Sequence, residues 1–158
     1  MKLKIRTLAT FALVVLTIGL FSLAQSASAV SDCKKAKGNI SLVSNGNGTF
    51  SGTITQGGKL NGTALAVFTS AFTPTPDQTT FSFTDNLTVT TNSGILRTHN
   101  VGVFDVATGL FTAFDRIDPN ASTGDFAGAT GVLYLNGRTI DGGATFQAEI
   151  TGEVCFAN

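Results

Sequence analysis

Among the residues whose types move protons or hold developing charge, three stand out by their spacing: Asp85, Arg97 and the sole histidine, His99. The alternation Phe81, Phe83, Asp85, Leu87, Val89 puts the Asp85 carboxyl on one face with four large apolar side chains. Thr80, Ser82, Thr84, Asn86, Thr88 and Thr90 face the other way. Three outcomes stay open: a bulge at Asp85-Asn86 turns the carboxyl outward, it is a buried structural acid paired with Arg or His, or it is an acid/base or ligand anchor with a raised pKa. Arg97 and His99 alternate onto one face of the following strand with Val101, Val103 and Asp105. A turn at Asn92-Ser93-Gly94 brings that strand back beside Asp85, where the three groups would supply proton transfer and charge stabilisation. A solvent-facing charged rim, continued by Asp115, Arg116 and Asp118, accounts for the same residues.

Other chemistries lack their residues. A single histidine and the absence of G-x-S-x-G, H-E-x-x-H and P-loop patterns leave no hydrolase triad or nucleotide site. The Gly-rich stretch Gly124 to Gly131 leads into a strand rather than a helix, so no helix N-terminus awaits a phosphate. The run Asp115-x-x-Asp118-x-Asn120 with Asp125 offers oxygens to calcium, but it has no EF-hand spacing and reads as solvated turn; no metal and no cofactor is expected. Asn-x-Ser/Thr triplets at Asn39, Asn47, Asn61, Asn86 and Asn120 follow from an Asn- and Thr-rich composition.

The elements that must position these groups are strands. Alternation recurs after residue 30, as in Phe50, Gly52, Ile54 against Thr49, Ser51, Thr53, Thr55, and in Ala144 to Phe156. Asn45-Gly46, Asn47-Gly48, Asn61-Gly62, Asn136-Gly137 and Asp141-Gly142 supply turns, the third and fourth alternatively bulges within longer strands. Cutting at the turn signals gives about eight strands, near 39–44, 48–55, 60–71, 79–91, 95–106, 110–117, 125–135 and 143–156. Such a meander removes its edges by closing into a small antiparallel barrel; a two-sheet sandwich is the alternative.

Residues 1–29 read as a cleavable signal peptide. Lys2, Lys4 and Arg6 precede an apolar run from Phe11 that ends in Ala27-x-Ala29, and the run is shorter than a spanning helix needs. Residues 30–158 then form one domain, secreted or periplasmic, with no membrane span. Of ten basic and ten acidic residues the leader removes three basic ones, leaving a net charge of −3 that gives nucleic acid no purchase. Cys33 and Cys155 bracket this domain and read as a disulfide in an exported chain.

The stretch STGDFAGATGVLYLNGRTIDGGATFQAEITGEVC, with its Gly-rich segment Thr123 to Gly131, resembles the closing strands of the allene oxide cyclase/dirigent-type barrels. FSFTDNLTVTT and HNVGVFDVATGLFTAFDRI are similar in style to small exported bacterial members of that group, so the likeness spans residues 79–156. It implies the barrel and carries over no catalytic set. Three functions follow as expectations. A lumen lined by Phe50, Phe81, Phe83, Phe126 and Phe146 would hold a small apolar molecule. The exterior would serve as a structural or interaction surface, with a homo-oligomer as one form. An enzyme, if this is one, would be a cofactor-independent cyclase or isomerase using Asp85 with Arg97 or His99. Binding and structural roles rank above catalysis.

Overall fold

The computed structural model describes residues 32–157, so the expected leader and its cleavage site lie outside the described residues. Ten strands form: β1 (Asp32–Gly46), β2 (Thr49–Thr55), β3 (Gly62–Phe68), β4 (Thr73–Pro74), β5 (Thr80–Thr91), β6 (Gly94–Asp105), β7 (Leu110–Ile117), β8 (Thr123–Gly124), β9 (Thr130–Ile140) and β10 (Thr145–Phe156). Eight of them pair in chain order, β1-β2-β3-β5-β6-β7-β9-β10, all antiparallel. The β1–β10 pairing completes the ring, giving the closed barrel rather than the sandwich. The two short strands fill gaps: β4 extends the row of β3 along β5, and β8 extends the row of β7 along β6. Among the described residues no helix is long and apolar enough to cross a membrane.

Expected strands and observed strands coincide closely at β2, β3, β5, β6, β7 and β10, whereas the short β4 falls where a break was expected. The first strand begins earlier, because 32–38 pair with the end of β10, including Cys33 opposite Cys155. Those two cysteines form a disulfide that ties strands adjacent in space but 122 positions apart in sequence. The strand expected over 125–135 runs instead from Thr130 to Ile140. Residues 125–129 spend their backbone groups on tight turns, with Phe126 N–H donating to Thr123 and Ala129 N–H to Phe126, while both side chains are fully buried. Asn136-Gly137 lies inside that strand with an unbroken register on both sides, so it is neither turn nor bulge.

The inner face alternates large and small side chains, which is how a narrow barrel fills its taper. Ile40, Leu42, Ile54, Leu87, Leu133 and Ile150 pack against Ala64, Ala66, Ala113 and Ala148. At position 102 a Cβ would be driven into the Phe83 ring, so glycine there is the space that lets Phe83 lie inside. The ends of the barrel differ. At one end the 3-10 turn Gly58–Leu60 and the loop carrying Phe126 close the barrel, with Phe126 against Phe156 and Lys59 bonded to Asp125 at 3.2 Å. The other end carries the connections 69–79, 106–109 and 141–144 and a cluster of phenylalanines.

Candidate functional site

The site is best built from Asp85. The pairing of β5 with β6 runs unbroken through this residue and the pairing with β3 reaches it in register, so no bulge turns it outward. The two-residue turn Asn92-Ser93 places Thr91 opposite Gly94 and therefore Asp85 opposite Asn100; Asn100 in turn lies opposite Asp115 on β7. Residues directly opposite share a face. Asp85, Asn100 and Asp115 thus make one inward-facing polar row across three strands, 5 %, 8 % and 0 % exposed.

Asp115 is well held within that row. Thr98 Oγ1 donates to its Oδ1 at 2.6 Å and Asn100 Nδ2 to its Oδ2 at 2.9 Å. Burial raises its pKa to about 6, the two hydrogen bonds pulling the other way. Asp85 has no such donors among the described residues: burial first, then the charge of Asp115, push its carboxyl up to about 7. Asn100 Oδ1 is buried and receives no donor from the described residues. One amide therefore serves Asp115 with its nitrogen and leaves its oxygen unmatched beside Asp85.

Arg97 and His99 do not join this row. Their neighbours Leu96, Thr98 and Asn100 point inward, so alternation sends Arg97 and His99 to the outer surface. His99 there bridges Asn86 Oδ1 at 2.8 Å and Asp118 Oδ2 at 3.2 Å. Asp118 also accepts the backbone N–H of Asn120 and of Ala121, and these bonds with His99 hold its pKa below the usual carboxylate range. For Arg97 and His99 this is the solvent-facing rim that the sequence left open, and Val101 and Val103 on the same face are exposed as well. The calcium-like run does not converge either, since Asp115 points into the barrel, Asp118 holds its own loop and Asp125 pairs with Lys59.

Asp85 and Asn100 are the two polar residues lining an internal cavity of about 30 Å³. Phe50, Phe68, Phe83, Phe111 and Phe146 supply aromatic walls to the same space. That volume suits a water or a group of similar size, well short of a whole organic ligand. Towards the open end lies a second space of about 340 Å³, a cleft walled by Phe50, Phe72, Phe81, Phe104, Val106 and Phe146 and open to solvent. Phe50 and Phe146 line both spaces, and their rings meet edge to face at 4.8 Å. Of the five expected lining residues, Phe50, Phe81, Phe83 and Phe146 gather at this end, whereas Phe126 plugs the opposite one. Phe68, Phe72, Phe104 and Phe111 complete the cluster and were not singled out from the sequence, although Phe68, Phe104 and Phe111 continue the inward alternation at the ends of β3, β6 and β7; Phe72 lies in a loop.

No family model, curated protein or solved structure matches this chain.

Proposed function

We propose that this is an exported binding barrel that takes a small apolar molecule in the phenylalanine-walled cleft at its open end. The cleft itself carries the reading: about 340 Å³ of solvent-open space with aromatic walls. Its size is within the range of small-ligand sites. Export is supported by the leader pattern in residues 1–29 and by a disulfide, a bond that persists in oxidising compartments. The likeness to allene oxide cyclase/dirigent-type barrels belongs to the same proposal, and the closed meander accords with it.

Binding is favoured over cyclase or isomerase chemistry on geometric grounds. The cyclase or isomerase reading pairs Asp85 with Arg97 or His99 around one substrate, and the space beside Asp85 is lined instead by Asn100 and apolar side chains. Neither Arg97 nor His99 faces that space.

The test uses N-phenyl-1-naphthylamine, an uncharged fluorophore that brightens in apolar surroundings. The expected result is saturable binding, weakened about tenfold or more by Phe72→Ser or Phe81→Ser, two cleft residues outside the core cluster, Phe72 being exposed. Binding that never saturates, or that ignores both substitutions, would refute the cleft as the site.

A further inference from the structure

Resting on that reading, we infer that the inner cavity is a head-group pocket for a cation, and that the preferred ligand is an apolar molecule ending in a primary ammonium. The pocket's chemistry is one-sided. Its polar atoms are the Asp85 carboxyl, which no side chain of the described residues bonds, and Asn100 Oδ1, which lacks a donor. The one permanent donor nearby, Asn100 Nδ2, is committed to Asp115. Around these acceptors stand aromatic rings, whose faces are electron-rich. An ammonium brings three donors and a positive charge, matching the carboxylate, the amide oxygen and a ring face together. A hydroxyl would use one acceptor and leave the other unpaired. A carboxylate would meet Asp85 and Asp115 at close range, with no positive group among the described residues inside the barrel to offset them.

The dimensions agree with the chemistry. An ammonium occupies about the volume of a water, as the cavity does. The tail leaves past the Phe50–Phe146 contact into the open cleft, so rotation of one of those rings admits the ligand. The groups facing Asp85 are few. Asn100 and Thr98 come from β6 and Asp115 from β7; Ala66 and Phe68 come from β3, and apolar side chains from β1, β2, β9 and β10. Asp115 is thus the one other titratable group in this interior among the described residues, and it stays bonded to Thr98 and Asn100.

The experiment is calorimetric titration of the purified protein with n-hexylamine, n-hexanol and hexanoate at about pH 8, repeated with Asp85→Asn. The inference predicts hexylamine binding about tenfold or more tighter than hexanol, with hexanoate weakest. In Asp85→Asn the preference for the amine disappears while hexanol binding persists, which also shows that the variant is folded. Amine affinity falls as pH drops below about 7, because the carboxyl must then lose a proton to pair with the ammonium. Equal binding of the three ligands, or an amine preference that survives Asp85→Asn, overturns the head-group pocket and leaves the cleft standing. Binding of none of them overturns both.

Discussion

Asp85 departs furthest from the behaviour of an ordinary surface acid, and its consequence is a reversed pH dependence of stability. A carboxyl whose folded pKa is raised from 3.8 to about 7 binds its proton more readily in the folded state, so folding is favoured by acid across that interval. Stability is therefore fully present below about pH 4 as far as this group is concerned, and is lost as pH rises towards 7. For Asp85 alone the span is on the order of 4 kcal/mol, and Asp115, raised to about 6, adds in the same direction. Asp77, Asp105 and Asp118 have lowered pKa values and act only in more acidic solution. Urea midpoints should then fall between about pH 5 and pH 8 in the natural protein. Asp85→Asn should raise the midpoint most at pH 8, less at pH 5 and least below pH 4; a lower midpoint for that variant at pH 8 would contradict the assignment. The inward placement of Asp85 was legible in the sequence, since its alternation with Phe83 and Leu87 holds through the strand. Its partners were legible too, but through register rather than residue type: a two-residue turn at Asn92-Ser93 fixes Asn100 opposite Asp85. On β6 the sequence left lumen and solvent rim both open for Arg97 and His99; the rim is what forms, because this barrel exposes Val101 and Val103 while burying Thr98 and Asn100 to satisfy Asp115.

At the scale of elements, strands and turns follow the period-two pattern and the Asn-Gly and Gly-Gly signals, and most boundaries agree within a few residues. The exceptions have physical causes. Phe126 and Ala129 are apolar yet belong to a loop, because burial can be reached by plugging a barrel end as well as by facing its lumen. Asn136-Gly137 carries turn residues in a continuous strand, where glycine serves close packing: a Cβ at 137 would collide with the β10 backbone. The same logic gives a prediction on β6. Gly102→Ala pushes a methyl into Phe83, which lies at 5.3 Å from Phe68 and 5.7 Å from Phe72 in the aromatic cluster. The expected loss is about 1–3 kcal/mol of stability, with weakened fluorophore binding at the cleft. Unchanged stability and binding would show that Phe83 is not fixed by that contact.

For the molecule as a whole, the two barrel ends divide the work. One is closed by the disulfide, the 3-10 turn and the Phe126 loop; the other holds the aromatic cleft above the Asp85 cavity. The bond between Cys33 and Cys155 joins the first and last strands, where the ring would otherwise open. Linking residues so distant in sequence is worth on the order of 2–5 kcal/mol, so reduction should lower the thermal midpoint by several degrees. An identical midpoint with and without reductant would show that the β1–β10 hydrogen bonds alone keep the barrel shut. Because the bond sits at the end opposite the cleft, reduction that stops short of unfolding should leave ligand affinity unaltered. The most direct test of the binding reading is an NMR titration with n-hexanol, following the aromatic resonances. Shifts confined to Phe50, Phe72, Phe81, Phe104 and Phe146 are expected, with Phe126 and Phe156 at the closed end and Phe114 and Tyr134 on the outer wall unmoved. Shifts centred on Phe126 and Phe156, on Phe114 and Tyr134, or on no residue at all, would contradict it.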